Sequence, residues 1–218
     1  MKFAVLLVGL LPSGRLKNLL LRKLNFEIHS TADISACFLL GVRHLCVGSG
    51  ARIGTFTVLR GMKSVILRDS ARIGQLNWIS AAPDLNMADK SGTLILGEHS
   101  AITNRHYLDC SGGVEIGSYS TIAGVRSTLI THGINWRQSE QSVAPIRIGS
   151  YCIISSNVNL TPGTVVPDRS VVGMGVTVDK TLSADGGLIV SARGETVKEN
   201  ISGKYFEREV GVVKPPQN

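Results

Sequence analysis

The aliphatic residues of this chain recur with a period of six. Between Ile148 and Val178 one stands at every sixth position, namely Ile148, Ile154, Leu160, Val166, Val172 and Val178. The same spacing returns in shorter runs, for example Leu96, Ile102 and Leu108. A period of six matches neither the 3.6-residue period of an α-helix nor the two-residue alternation of a half-buried strand. It predicts a repeat architecture in which each unit stacks on its neighbours.

A second, longer spacing groups the hexapeptides into coils. Two aliphatic residues separated by one residue recur at Leu45/Val47, Val65/Leu67, Leu94/Leu96, Val114/Ile116 and Ile146/Ile148. The sequence Ala-Arg-Ile-Gly occurs at 51–54 and again, twenty residues later, at 71–74. We interpret each hexapeptide as one side of a triangular coil, with its aliphatic residue pointing inward. This pattern predicts about seven coils, stacked to about 34 Å at a strand spacing of about 4.8 Å.

The two ends of the chain depart from this period. Residues 1–27 predict a helical segment, residues 28–180 the β-solenoid, and residues 181–218 a strand and helix extension. The apolar run Phe3–Leu11 has about half the length that a bilayer span needs. Pro12–Asn25 predicts a basic amphipathic helix. In this helix Leu16, Leu19, Leu20 and Leu24 share one face, and Arg15, Lys17, Arg22 and Lys23 supply the charge. Packing on the solenoid and contact with a membrane surface are the two roles open to it.

Composition narrows the choice of partner. Lys and Arg number 23 against 16 Asp and Glu, a net charge of +7, and only 5% of residues are aromatic. A positive excess favours an anionic partner. Because no nucleic-acid motif is present, we expect a phosphate-rich cofactor or an anionic membrane, and no nucleic acid. Cys37, Cys46, Cys110 and Cys152 lack metal-type spacing and predict buried thiols in a reducing, cytoplasmic compartment.

The stretch Ile148–Lys180, IGSYCIISSNVNLTPGTVVPDRSVVGMGVTVDK, resembles the hexapeptide-repeat acyltransferases. The resemblance covers roughly residues 28–198 and is closest to the sugar O-acetyltransferases of the maltose, galactoside and exopolysaccharide type. It implies an all-β, left-handed parallel β-helix, although crossovers between parallel strands are normally right-handed. It also implies a homotrimer with active sites between neighbouring subunits, acetyl-CoA as co-substrate, and no metal.

The polar segment His132–Pro145, HGINWRQSEQSVAP, interrupts the repeat and is too polar to enter the narrow apolar core. We therefore expect it to leave the coil as an arm, and in related enzymes such an arm reaches the adjacent subunit. The resemblance places the catalytic base at His132. Imidazole titrates near neutrality, so it can accept a proton from an acceptor hydroxyl and return it to the leaving thiolate. His106 is the rival base, and Glu140 is a candidate for orienting the histidine or a solvated carboxylate.

Further site residues follow from the same resemblance. The candidate acceptor contacts are Asn104, Arg105 and Asp109, one coil before the arm, and Trp136 on the arm. The candidate cofactor contacts are Ser156, Met174, Asp179 and Lys180, with Arg193 and Lys198 in the C-terminal extension. In that extension, residues 187–198 lack the proline of the family's closing turn. A second interruption, residues 81–93, lines a cleft or is only a loop.

The sequence predicts an acetyl-CoA-dependent O-acetyltransferase that acts on a sugar or glycan hydroxyl. Two alternatives stay open: N-acetylation of an amino sugar or another small acceptor, and a non-catalytic β-solenoid used in assembly. A γ-type carbonic anhydrase shares the solenoid but needs two histidines five positions apart, and no pair in this sequence has that spacing. The basic N-terminal helix favours a lipid-linked acceptor handled at the inner membrane surface.

Overall fold

A computed structural model describes residues 2–85, 91–135, 139–179, 181–182, 185–190, 196–207 and 209. The chain begins with two short helices, α1 (Lys2–Leu10) and α2 (Arg15–Lys23). Single turns of 3₁₀-helix occur at Pro83–Leu85 and Lys204–Glu207. The rest of the described chain is dominated by short strands.

The strands, in chain order, are β1 (Glu27–Ile28), β2 (Asp33–Ile34), β3 (Phe38–Leu40), β4 (His44–Val47), β5 (Arg52–Ile53), β6 (Val58–Arg60), β7 (Ser64–Leu67), β8 (Arg72–Ile73), β9 (Trp78–Ser80), β10 (Thr93–Leu96), β11 (Ala101–Ile102), β12 (Tyr107–Asp109), β13 (Val114–Ile116), β14 (Thr121–Ile122), β15 (Thr128–Leu129), β16 (His132–Asn135), β17 (Glu140–Val143), β18 (Ile146–Ile148), β19 (Ile153–Ile154), β20 (Asn159–Leu160), β21 (Val165–Val166), β22 (Val171–Val172), β23 (Thr177–Val178), β24 (Leu188–Ile189) and β25 (Thr196–Lys198).

Three parallel sheets form the faces of a triangular prism. Face A contains β1, β4, β7, β10, β13, β18 and β21, and face C contains β3, β6, β9, β12, β15, β20 and β23. Face B contains β2, β5, β8, β11, β14, β19, β22 and β24, with β25 added antiparallel to β24. Among the described residues, seven coils each contribute one strand to each face, and β24 adds an eighth parallel strand to face B. The predicted parallel β-helix of about seven coils is therefore confirmed.

The six-residue period corresponds to vertical ladders of buried side chains. On face A the register places Ile28, Val47, Leu67, Leu96, Ile116, Ile148 and Val166 directly above one another. All seven are at most 5% exposed. Burying one such side chain contributes about 1.5–3 kcal/mol. The core is therefore a stack of thin, equivalent layers.

The corners of the prism turn through residues with positive φ. At the edge between faces A and B, His99, Tyr119 and Tyr151 have φ of 56–61°. Their rings stack at centroid distances of 4.9 Å, which matches the spacing of the coils. The edge between faces B and C turns in the same way at Arg105, Arg126 and Asn157. Side chains at these corners point away from the core, so their functional groups lie on the outside of the prism.

Helices α1 and α2 cover the open end of the first coil. The amide of Cys37 donates to the carbonyl of Gly9 at 2.8 Å. Lys17 Nζ donates to the Ser35 carbonyl at 2.8 Å, and Asn18 Nδ2 donates to the Ala32 carbonyl at 2.7 Å. These bonds satisfy backbone groups that the end of a solenoid would otherwise leave without a neighbouring strand.

The orientation of α2 corrects the sequence-based interpretation. Lys17 was predicted to supply surface charge, but it is 1% exposed and faces the solenoid, with Asn18 beside it at 2%. Leu16 and Leu19, by contrast, are 67% and 45% exposed. The hydrogen bonds of Lys17 and Asn18 to the first coil therefore determine which side of α2 faces the solenoid, although the leucine pattern predicts a different side.

Candidate functional site

The arm predicted at residues 132–145 is placed as a hairpin that leaves the prism between faces C and A. Strands β16 and β17 pair antiparallel, with His132 opposite Val143. The amide of Ala144 donates to the Thr131 carbonyl at 2.9 Å and closes the neck of the hairpin. A Cβ on Gly112 would lie 2.8 Å from both of these residues' carbonyl oxygens, so the neck requires glycine there. His132 is thus the first residue outside the coil.

Asp109 holds His132 in place. His132 Nδ1 lies 2.7 Å from Asp109 Oδ2, which also accepts a bond from the Thr131 amide at 2.8 Å. Asp109 Oδ1 accepts from the hydroxyl of Ser111 at 2.5 Å and from its amide at 3.2 Å. The Asp109 side chain is 6% exposed and that of His132 is 38% exposed. A buried, fully hydrogen-bonded carboxylate therefore orients a half-exposed imidazole.

The hydrogen bonds around Asp109 determine the charge of its carboxyl group. Burial raises the pKa of the Asp109 carboxyl, but hydrogen bonds from Ser111, His132 and Thr131 outweigh it and hold the pKa below its usual value. Asp109 is therefore ionised and accepts a proton-bearing Nδ1. When Nδ1 carries the proton that it donates to Asp109, Nε2 is the ring nitrogen that can accept a proton from a substrate.

Two sequence-based roles change with this geometry. Asp109 was predicted to contact the acceptor, whereas its carboxylate is occupied by His132, Thr131 and Ser111. Glu140 was a candidate for orienting the histidine, but it pairs with Asn135 at the far end of the hairpin. The carboxylate that contacts His132 comes from β12 and not from the arm.

His106, the rival base, is a structural residue. It is 2% exposed, its Nδ1 accepts from the Ser127 amide at 3.1 Å, and its Nε2 lies 2.9 Å from Thr103 Oγ1. Burial is the largest influence on the pKa of this ring and lowers it to about 4. With both ring nitrogens engaged inside the coil, His106 has no route to a substrate.

The other predicted acceptor contacts lie away from His132. Asn104 and Arg105 occupy the edge between faces B and C, and Asn104 Oδ1 accepts from the Gln75 amide at 2.8 Å. Arg105 is exposed. Asp109 lies four positions after Arg105 along the chain, which corresponds to about 13 Å at about 3.3 Å per residue. Trp136 lies outside the described residues.

The predicted cofactor contacts are spread over two edges. Ser156 and Met174 share the B–C edge with Arg105, and the Gly175 amide donates to the Ser156 carbonyl at 3.1 Å across one coil. Met174 is 70% exposed. Asp179 is exposed at the end of β23, and Lys198 is exposed at the end of β25. Lys180 and Arg193 lie outside the described residues.

Sequence reasoning missed two aromatic residues beside the site. Tyr107 lies two positions before Asp109 on β12, and the register places it opposite Trp78 on β9. The two are 44% and 42% exposed. Each stands next to an inward aliphatic residue, Leu108 or Ile79, and this alternation was the signal that could have identified them.

Within the part of the chain that the structure describes, no group of three or more His, Cys, Asp or Glu residues is arranged to hold a metal ion. Among the same residues, no helix is long and apolar enough to cross a membrane.

Comparison with known proteins identifies the architecture. No protein-family model matches the chain, and no curated protein sequence matches it. The structure of a mutant of AntD, an N-acyltransferase from Bacillus cereus, in complex with dTDP and coenzyme A, matches with a TM-score of 0.51 at 16% identity. That match covers 73% of this chain and 84% of AntD.

A second match is the hexapeptide-repeat-containing acetyltransferase VCA0836 from Vibrio cholerae in complex with acetyl-coenzyme A. Its TM-score is 0.50 at 18% identity, over 75% of this chain and 73% of the other. In another crystal structure of that protein the match spans 50% of this chain and 64% of the other, with a TM-score of 0.47. The likeness confirms the predicted fold: this chain is a left-handed parallel β-helix of hexapeptide repeats, the fold of these two acyltransferases.

Proposed function

We propose that the protein is an acetyltransferase that uses acetyl-CoA and acetylates a hydroxyl of a sugar or glycan. The single observation that carries this proposal is the Asp109–His132 pair at the base of the hairpin, joined by a 2.7 Å hydrogen bond. A partly exposed imidazole whose Nδ1 is held by a buried carboxylate is the arrangement of a general base.

The reaction follows from that geometry. The acceptor oxygen attacks the thioester carbonyl of acetyl-CoA while its proton moves to His132 Nε2. Asp109 stabilises the imidazolium that forms, because its carboxylate stays ionised. The carbon–sulfur bond then breaks, and the proton passes from Nε2 to the thiolate, which gives an O-acetylated sugar and free CoA.

The cofactor contacts belong to the same proposal. AntD and VCA0836 were crystallised with coenzyme A and acetyl-coenzyme A, respectively. We place the cofactor of this protein along the B–C edge, with Ser156 and Met174 beside the pantetheine arm. Asp179, Lys180, Arg193 and Lys198 then contact the nucleotide end, where the cations meet phosphates.

A homotrimer fits the position of these groups. Within one chain the width of face C separates the B–C edge from His132, about 13 Å at the rise of a strand. The hairpin projects from the prism, and Ile134 on it is 74% exposed. We propose that a second copy packs against the hairpin, so that His132 of one subunit faces the cofactor edge of the next.

The acceptor side is proposed to include Trp78 and Tyr107. Their exposed rings share the outward side of face C with Asp109. Aromatic rings offer rigid apolar area with a polar tip, which suits the face of a sugar ring and its hydroxyl groups. N-acetylation of an amino sugar is the alternative that one observation favours, since AntD is an N-acyltransferase.

A thiol-release assay tests the proposal. Purified protein is incubated with acetyl-CoA and a panel of sugars, amino sugars and lipid-linked glycans, beside His132→Ala and, as a matched control, the exposed His29→Ala. Acceptor-dependent CoA release that falls by about 10²-fold or more in His132→Ala alone supports general-base transfer. Mass spectrometry of the product separates an ester from an amide. Absence of CoA release with every acceptor, and of acetyl-CoA binding by calorimetry, would favour the non-catalytic solenoid.

A further inference from the structure

The outer surface of α1 and α2, at the end of the prism remote from the later coils, carries a group of exposed apolar side chains. Phe3, Leu7 and Leu10 of α1 are 72%, 52% and 40% exposed. On α2, Leu16 and Leu19 are 67% and 45% exposed. These five residues define what we call the cap surface. Five large apolar side chains exposed on two adjacent short helices form a cluster, and clustered exposed apolar side chains mark an interaction site.

The cap surface faces outward because the inner sides of both helices pack on the first coil. Lys17 Nζ donates to the carbonyls of Gly9 at 2.7 Å, Leu11 at 2.9 Å and Ser35 at 2.8 Å. A cation at the C-terminal end of α1 also complements the helix dipole. A Cβ on Gly9 would lie 2.8 Å from the Cys37 carbonyl, so α1 lies directly on the coil. The helices therefore cannot turn their leucines inward without breaking these contacts.

Charge distinguishes a lipid surface from another apolar partner. Residues 1–26 contain five basic residues and no acidic residue. One of the five, Lys17, is buried, and Arg15, Arg22 and Lys23 are exposed. At 100° per residue, Arg15 and Lys23 fall on the same side of α2 as Leu16 and Leu19. Apolar side chains mixed with cations on one helix face are the pattern of helices that lie in the interface of an anionic membrane.

A cleft at the same end of the prism is lined by both apolar and basic side chains. It has a volume of about 360 Å³ and opens between the helices and the corner of the first two coils. Val5, Leu24 and Phe26 line it from the helical side, and Val42 and Arg43 line it from the coil. Hydrocarbon next to a guanidinium suits a lipid with an anionic headgroup.

We propose that the cap surface binds an anionic lipid bilayer as a peripheral, non-spanning contact. Arg15 and Lys23 meet the headgroups while the five apolar side chains enter the interface. The prism then stands on its N-terminal end, with the axis of the coil directed away from the bilayer. Three coil spacings of about 4.8 Å and one helix diameter of about 10 Å place Asp109 roughly 25 Å above the surface, so the His132 hairpin is clear of the lipid.

Vesicle sedimentation with the full chain tests this contact. Wild-type protein is expected to bind vesicles that contain about one third phosphatidylglycerol at least tenfold more tightly than pure phosphatidylcholine vesicles, and to release in high salt. Leu16→Ser/Leu19→Ser is expected to weaken binding at least tenfold. Its matched control, Val190→Ser/Val197→Ser, removes two side chains that are 51% and 55% exposed at the other end of the chain and leaves binding unchanged.

The charge is tested separately. Arg15→Gln/Lys23→Gln is expected to weaken binding to the anionic vesicles about 25-fold, at roughly fivefold per charge, whereas the exposed pair Arg52→Gln/Arg169→Gln has no such effect. Thermal unfolding of each variant checks that the fold is intact. Equal binding to both vesicle types, or unchanged binding by Leu16→Ser/Leu19→Ser, overturns the proposal. The proposal is also overturned if Leu16→Ser/Leu19→Ser changes the oligomeric state on size-exclusion chromatography but keeps its vesicle binding. The cap surface would then join copies of the chain.

Discussion

His106 is buried as a neutral imidazole, and acid should therefore destabilise the protein through this residue. Burial lowers the pKa of His106 in the folded protein from 6.5 to about 4. Above pH 6.5 the ring is neutral in the folded and unfolded states, so the full stability is present. As the pH falls through this window the unfolded chain binds the proton first, and stability is lost until the folded pKa is reached.

The size of this loss in stability follows from the shift in the pKa of His106. A difference of about 2.5 pKa units at 1.36 kcal/mol per unit corresponds to about 3 kcal/mol of unfolding free energy lost between pH 7 and pH 4. His106→Asn removes the titration and keeps the packing role. One coil earlier, Asn77 occupies the equivalent position and its Oδ1 accepts from the amide of the next coil at 2.9 Å, as His106 Nδ1 does from Ser127 at 3.1 Å.

Urea unfolding at pH 7, 6, 5 and 4 and fixed protein concentration measures the effect. The free energy of unfolding of wild-type protein is expected to fall by about 3 kcal/mol more than that of His106→Asn across this range. The exposed His29→Asn should follow the wild-type curve. Parallel curves for wild type and His106→Asn would show that the pKa of His106 is the same in the folded and unfolded states, contrary to this prediction.

Two further substitutions test the packing. Gly61 has φ of +68° and a Cβ there would lie 2.4 Å from the Ala81 carbonyl. We expect Gly61→Ala to lower the free energy of unfolding by about 3 kcal/mol. The control Gly175→Ala also has a positive φ but meets open space, and should lower it by about 1 kcal/mol. Equal losses for the two variants in urea unfolding would contradict this prediction. Lys17→Met should lower the free energy of unfolding by about 2–4 kcal/mol and speed the hydrogen exchange of the α1 amides. The control Lys23→Met changes an exposed residue and should leave the unfolding free energy and the exchange rates unchanged.

Much of the fold was predictable because its energetics are local and repeated. Each buried residue of the ladder from Ile28 to Val166 repeats the same inward position, so the six-residue period carries the architecture. The hairpin was also predictable as a polar interruption that a one-side-chain-wide core cannot hold. His132 stands at its first residue, and only the family resemblance assigned it a role.

The rest depends on contacts between coils. Asp109 and His132 are 23 residues apart, and their contact depends on the register of β12 against β15 and on the neck that Thr131 forms. No local pattern specifies that register, so Asp109 was placed among acceptor contacts. Lys17 was misassigned for a related reason, since its three carbonyl partners exist only once α2 packs on the first coil.

We propose that Asp109 acts through His132 in acetyl transfer, and a double-mutant cycle on kcat isolates this coupling. Asp109→Asn presents an amide donor that turns the imidazole into the wrong tautomer, so it should lower kcat at least tenfold and leave the KM for acetyl-CoA unchanged. In a His132→Ala background the same substitution should cost nothing further, because its target is gone. Losses that multiply in the double variant would contradict the claim, and would show that Asp109 contributes to the reaction independently of His132.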